Sequence, residues 1–255
     1  MVKISENWFV LDGVTQLFMG EKNPINPVIG VDNDGIILID TGPPDSYEQM
    51  EVGLNDLGFT ARDIKKIIIT HYHFDHVGNL HKFFSENSKI EVFMGKYDIP
   101  YYEGLKSPQP HPIDMEEIKK LFPDVTNEHL GEMLSETLKV SKKVESKRLK
   151  QISKKVNHFT EAGGFDIIHT PGHTPGHLSV YIPWAKALIP GDLMMYWKGN
   201  FSGPVKTFCS DFESSIESLK KISKYLIDKL IGYHGSVFFG DVNSLINDYL
   251  KTLSM

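Results

Sequence analysis

The chain has a single cysteine, Cys209, which excludes an intramolecular disulfide and any multi-cysteine zinc cage. Long apolar runs are also missing. Stretches such as Ile36 to Ile39 or Ile67 to Ile69 fall far short of the roughly 20 residues that cross a bilayer. The segment from Met1 to Phe9 has no cleavable apolar stretch, so the expectation is a cytoplasmic protein with no membrane partner. Glycine (21) and proline (14) are at ordinary frequency for 255 residues, excluding a collagen-like repeat and a disordered linker. No long-period self-similarity is visible, which excludes a solenoid. With 40% hydrophobic residues, 24% charged residues and a net charge of -6, a packed core is within reach and a polyanionic partner is disfavoured. The 11 histidines are then the residues to explain.

Short β-type runs (Trp8 to Leu11, Thr15 to Met19, Pro27 to Val31, Gly35 to Asp40) separated by turn residues predict an antiparallel meander. Tyr47 to Leu57 has helical spacing, Ile64 to Thr70 reads as a strand buried on both faces, Leu80 to Glu86 as a helix and Ile90 to Met94 as a strand. Residues 106–160 change character, being rich in Lys, Glu, Leu and Ser with no strand signal, and predict an insertion of two or three helices. Asp114 with Glu117 resembles a capping box, Pro123 closes the first helix, and Leu130, Met133, Leu134 and Leu138 follow helical spacing. Between Lys139 and Lys155 eight basic residues stand against one acidic residue. No aromatics interleave with these charges, so a solvated face is favoured over a nucleic-acid surface. From Phe165 the β pattern resumes (Phe165 to His169, Leu178 to Ile182, Ala187 to Pro190). A helix near Asp211 to Leu230, a run at Val237 to Phe239 and a last helix from about Asn243 follow. Two similar halves predict an α/β protein of the αββα four-layer sandwich class, one domain over 1–255 with the helical insertion at about 106–160.

The chemistry concentrates after the buried strand, in His71-Tyr-His73-Phe-Asp75-His76. His71 and His73, two apart on an extended segment, point the same way, while Asp75 and His76 lie past the strand end and can turn toward a second point. One loop can therefore address two ions. Imidazole and carboxylate suit zinc, iron or manganese, whereas calcium would want oxygen alone. Further donors stand at other strand ends: His169-Thr-Pro-Gly-His173-Thr-Pro-Gly-His177, Gly191-Asp192 and His234-Gly235.

This set, with the preceding Ile-Leu-Ile-Asp40-Thr-Gly, resembles the metallo-β-lactamase superfamily over roughly residues 8–100 and 160–240. The resemblance implies that His71, His73 and His173 hold a first metal, that Asp75, His76 and His234 hold a second, and that Asp192 bridges them. It implies that Asp40 orients a ligand and that His177 supports the turn. Two divalent ions, zinc first, would then activate a water that Asp75 also orients.

Cleavage of an ester, thioester or lactone of a small molecule is the function so implied. β-Lactamases of the family lack an aspartate at the Asp192 position. The glutathione thioester hydrolases carry a Cys-Gly-Arg-type segment where this chain has Leu193-Met-Met-Tyr196-Trp197-Lys. Lactonases place a tyrosine three residues after the bridging aspartate, where this chain has Met195, with Tyr196 next. The pocket wall is expected from Tyr101, Tyr102, Tyr196, Trp197 and Phe201, with Tyr196 and Trp197 as substrate contacts. The insertion is expected to lid the site or to form a homodimer contact. Two alternatives remain at this stage: a mononuclear-iron oxidoreductase of the persulfide dioxygenase type, and a metal-dependent RNase.

Overall fold

Period-two alternation sorts the central apolar runs into separate layers. In Gly35–Ile39, Ile36 and Leu38 join one buried cluster while Ile37 and Ile39 join another, and in Ile64–Ile69 the pair Ile67 and Ile69 is likewise divided from Ile68. Strands apolar on both faces need cover on both faces. The computed structural model describes residues 2–18, 21–107, 113–123, 125–139 and 144–253.

The first half runs β1 (Val2–Lys3), β2 (Trp8–Val10), β3 (Thr15–Phe18), β4 (Glu21–Pro24), β5 (Val28–Asp32), β6 (Gly35–Ile39), α1 (Tyr47–Asn55), β7 (Ile64–Ile69), α2 (Phe74–Val77), α3 (Leu80–Glu86), β8 (Glu91–Gly95) and α4 (Ile99–Tyr102). Next come α5 (Met115–Leu121), α6 (Asn127–Lys139), β9 (Leu149–Ile152) and β10 (Val156–Phe159). The second half is β11 (Phe165–His169), β12 (Leu178–Ile182), β13 (Ala187–Ile189), β14 (Met195–Trp197), β15 (Asn200–Ser202), α7 (Phe212–Ile222), β16 (Lys229–Ile231), β17 (Val237–Phe239) and α8 (Val242–Thr252).

The first sheet has the order β1-β2-β5-β6-β7-β8-β9 and the second β10-β11-β12-β13-β16-β17. One cluster packs the first sheet against α1, α3 and α4, a second fills the space between the sheets, and a third packs the second sheet against α7 and α8. Three apolar seams separate four layers, giving the αββα sandwich. Trp8 anchors the middle seam: it is fully buried, sits edge-on to Phe165 at 5.4 Å, and donates Nε1–H to the Ala162 carbonyl at 3.0 Å. Among the described residues no helix is long and apolar enough to cross a membrane.

Several sequence expectations change, among them the helix expected to reach Leu230, which ends at Ile222 with β16 after it. β3 does not join the meander; β2 pairs directly with β5, and β3 with β4 forms a separate hairpin whose base reaches His234 through an Ile25–His234 bridge. Among the described residues of 106–160 there are two helices but also two strands, β9 and β10, one at an edge of each sheet. Neither shows an alternating buried pattern, since in β9 only Leu149 and Ile152 are buried and in β10 no residue is fully buried, as suits edge strands bonded on one side. Lys150 on β9 pairs with Glu91 on β8. Asp114 does cap α5, accepting from the Glu116 and Glu117 amides, but Glu117 turns away to accept from Lys206 N, Thr207 N and Thr207 Oγ1, so no reciprocal box forms. Leu130 packs with Ile118 and Val125. The side chains of Met133, Leu134 and Leu138, and residues 140–143 of the basic stretch, lie outside the described residues.

Candidate metal centre

β7 runs parallel to both β6 and β8, so the loops leaving their C-terminal ends gather at one edge of the sheet. There the loop after β7 carries His71 and His73, and α2 carries Asp75 and His76. The second sheet contributes His173 from the loop after β11, Asp192 from the loop after β13 and His234 from the loop after β16. Donors from both halves of the chain thus share one site.

Three ring nitrogens converge. His71 Nε2 lies 3.0 Å from His73 Nδ1 and 3.2 Å from His173 Nε2, and the last two are 3.0 Å apart. No placement of protons makes all three contacts favourable, because a ring nitrogen either donates or accepts and a triangle always leaves two like partners facing. A cation at the centre removes the conflict. Asp75, His76 and His234 form a second convergent group, and His71, His76 and Asp192 a third that joins the two. Asp192 Oδ2 lies 3.5 Å from His173 Nε2 and 3.4 Å from His234 Nε2, while Oδ1 lies 3.4 Å from His76 Nε2. His76 Nε2 and Asp192 Oδ1 are both buried without hydrogen-bond geometry. Orphaned buried donors and acceptors are costly, and the nitrogen and carboxylate set is one that divalent transition metals accept. The residues present fit metal ions.

The family model described as the metallo-beta-lactamase superfamily matches residues 23–234. The chain belongs to the metallo-beta-lactamase superfamily. It is 26% identical over 218 residues to "Probable metallo-hydrolase YflN" of Bacillus subtilis, covering 78% of this chain and 75% of that protein. It is 25% identical over 238 residues to an "N-acyl homoserine lactonase" of a Bacillus species, covering 81% and 76%. A metallo-beta-lactamase family protein of Thermus thermophilus matches in structure with a TM-score of 0.71 at 18% identity, over 99% of this chain and 81% of that one.

Around the superfamily site the supporting bonds are explicit. Asp40, at the end of β6 with φ 62°, accepts from Thr70 N at 2.7 Å and Thr70 Oγ1 at 2.8 Å, and lies 2.9 Å from His76 Nδ1. A proton on Nδ1 leaves the Nε2 lone pair of His76 facing inward. His177 has both nitrogens engaged: Nε2 accepts the Asp192 amide at 3.0 Å and Nδ1 donates to the Thr170 carbonyl at 3.1 Å. It therefore fixes the Asp192 backbone. Gly191, at φ 58°, has to be glycine, since a Cβ there would meet His177 Nε2 at 2.5 Å.

Burial, with the neighbouring imidazoles, holds His71 and His173 well below the ordinary histidine range; burial takes His73 down to about 4 and His177 to about 3. All four are held neutral, and a neutral imidazole can offer a lone pair to a metal; His177, with both nitrogens bonded, is outside the convergent groups. Burial would lower His76 and His234 too, but carboxylates outweigh it. Asp40, Asp192 and Asp75 carry His76 well above its usual value, and Asp192 and Asp75 carry His234 up to about 9. Burial opposes ionisation of Asp75 and Asp192, yet His76 and His234 hold both below the usual carboxylate range. Without metal, protons on two histidines balance two carboxylates.

Tyr196 and Trp197 adjoin the loop of His234, Tyr196 through a backbone bridge to Gly235. Tyr196 packs on Phe238, ring centroids 4.7 Å apart, in the seam beneath the second sheet's helices. Trp197 is buried beside Gly235, with Phe122 of the segment after α5 at 5.3 Å. Phe201 packs on Tyr249, and the Tyr102 hydroxyl donates to the Val144 carbonyl. Tyr101 stacks on Tyr72 at 5.3 Å and lines a cavity of about 630 Å³ with Lys106, Pro171, Pro175 and Ser210. Sequence reasoning missed Asn26, whose Nδ2 ties Gly232 O and Gly235 O on either side of His234, and Tyr233, whose hydroxyl donates to the Asp75 carbonyl. The Asn-Pro-Ile-Asn run was visible only as a turn signal. Tyr233 adjoins His234 and carried no signal of its own.

Proposed function

We propose that this metal-dependent hydrolase cleaves an ester, thioester or lactone of a small molecule. Two divalent ions, zinc first, would be held by His71, His73 and His173 and by Asp75, His76 and His234, with Asp192 between them. The observation that carries this reading is the placement of the two Asp192 oxygens, Oδ2 toward His173 and Oδ1 toward His76 at 3.5 and 3.4 Å. When bound, such ions supply a water acidic enough to ionise near neutral pH and positive charge for a developing oxyanion. Asp75, with Oδ2 3.3 Å from His234 Nε2, holds an acceptor toward the same space and can orient a water there. Asp40 keeps the proton on His76 Nδ1, and His177 keeps the Asp192 backbone in place. The relatives named N-acyl homoserine lactonase support the lactone member of this set. The Asp75, His76 and His234 group supports a second ion and so disfavours a one-iron oxidase.

The described residues of 106–160 belong to the same domain in this reading, and α5 and α6 cover the site. Glu117 binds the amides of residues 206 and 207, Phe122 lies on Trp197, and α6 packs beside α2, which carries Asp75 and His76. Tyr196 and Trp197 then shape the substrate side from behind the loops. A cytoplasmic location agrees with the single, buried cysteine, and the insertion is the surface proposed for a homodimer.

Metal analysis with a panel of lactones, esters, thioesters, phosphodiesters, β-lactams and RNA tests the proposal. The expected result is two metals per chain and a carboxylic ester or lactone turned over fastest, activity vanishing on chelation and returning with zinc. One iron per chain with oxygen consumption would transfer the protein to the oxidoreductase reading, and turnover of RNA alone to the nuclease reading.

A further inference from the structure

β8 ends where the two histidine-bearing loops meet. The loop after β7 carries His71 and His73; the loop after β11 carries His173. Between them stands Asp98, fully buried at the start of α4. Its Oδ2 accepts from Thr174 Oγ1 at 2.7 Å and its Oδ1 from the Gly176 amide at 2.6 Å. The Tyr72 amide, between His71 and His73, donates to the same carboxylate. Thr174 follows His173 directly. One side chain from a third element therefore bonds both loops of the nitrogen triangle.

The surroundings show that this approach is built. A Cβ on Gly176 would meet the Asp98 amide at 2.4 Å, and a Cβ on Gly95 would meet the Gly176 carbonyl at 1.8 Å. Two glycines thus let backbones touch at this corner. Tyr101 on α4, three residues after Asp98, stacks on Tyr72 and braces the first loop from the other side. A buried carboxylate costs free energy to desolvate, and a site that needed only packing would not hold one. Its three donors are Tyr72, between His71 and His73, and Thr174 and Gly176, in the turn that follows His173.

We infer that Asp98 is a positioning residue for the first metal group, locking the His71–His73 loop to the His173 loop so that the three ring nitrogens stay convergent. The inference rests on reading those histidines as ion ligands. Its effect is on how tightly the group holds an ion, through the loops and not through contact.

The test is zinc competition against a chromophoric chelator, together with the visible spectrum of the cobalt-substituted protein. Asp98→Asn keeps the shape but turns an amide N–H toward one of the donors. Zinc affinity is expected to fall about 10- to 100-fold, the range for losing a residue that orients ligands, with shifted cobalt bands. Asn243→Ala is the control: it removes bonds to Ile227 N, Ser223 O and Tyr225 O on the far side of the second sheet. That variant should lose stability while keeping wild-type zinc affinity and cobalt bands. If Asp98→Asn does not fold, Thr174→Val, which deletes one of the three donors, decides, with a several-fold loss of affinity expected. Wild-type affinity in the folded Asp98 or Thr174 variant, or an equal loss in Asn243→Ala, overturns the inference alone. A wild-type chain that takes up no zinc overturns the ion-binding reading with it.

Discussion

The Tyr233 ring lies over that of His76, centroids 3.9 Å apart and planes 33° apart, while its hydroxyl donates to the Asp75 carbonyl. Burial pushes this phenol well above its ordinary range, so it stays a donor. One aromatic residue thereby fixes the imidazole and the backbone of two neighbouring donors. Tyr233→Phe keeps the stacking and orphans a buried carbonyl, which should cost about 1–2 kcal/mol in denaturant unfolding and lower kcat/KM several-fold. Tyr233→Ala should cost about 3–5 kcal/mol. Unchanged kinetics in Tyr233→Phe would reduce the residue to packing.

Asp192→Asn keeps the volume and the amide that His177 accepts, but removes the charge shared by the two groups. Hydrolysis should fall by at least about 100-fold, as when one transition-state stabiliser is removed, and bound metal should drop from two per chain. Metal analysis read beside kcat separates the two losses. Full occupancy with full activity would remove Asp192 from the mechanism.

The metal-free chain should be most stable near pH 6.5. His234, raised to about 9 by Asp192 and Asp75 against burial, binds its proton more tightly folded than unfolded. That stability is present below about 6.5 and lost as pH rises through about 9. His73, lowered to about 4 by burial, acts oppositely: the unfolded chain takes up a proton below about 6.5 that the folded one refuses, so acid destabilises. Zinc should replace the protons and flatten the alkaline limb. Thermal melts of chelated and zinc-loaded protein from pH 5 to 9.5 check this; parallel curves would refute it.

The site was legible because its donors obey one rule: each follows a strand end, beside a turn residue, and strand ends of a two-sheet sandwich meet at one edge. Asp40, Asp192 and His234 could be found that way. Asp98 obeys the same rule after β8, yet a lone aspartate has no neighbouring histidine to mark it, and its partners Thr174 and Gly176 are over 75 residues away. The strand β9 was hidden for another reason. In Leu149-Lys150-Gln151-Ile152 only the end residues are buried, and a parallel edge strand bonded on one side needs no more. The tyrosine position after Asp192 was not legible from spacing: Met195-Tyr196-Trp197 is one arm of a hairpin turning at Lys198 and Gly199, both at positive φ. Pairing with β15 therefore sets where Tyr196 points, and offset counting from Asp192 does not.

Two glycines separate a backbone contact from an ordinary helix position. In Gly95→Ala the new Cβ would stand 1.8 Å from the Gly176 carbonyl oxygen, a clash only backbone movement can relieve, because neither partner has a side chain to rotate. Movement there opens the corner at which Asp98 meets the His173 loop. The variant should lose several kcal/mol of stability, at the upper end for overpacking, and bind zinc more weakly. Gly131, exposed within α6, has nothing within 4 Å of its Cβ position, so Gly131→Ala should gain up to about 1 kcal/mol from helix propensity. Urea unfolding of both variants measures the difference. A Gly95→Ala protein as stable as wild type would mean that the two sheets can part at this edge without cost, and the close approach of β8 to the His173 loop would lose its role.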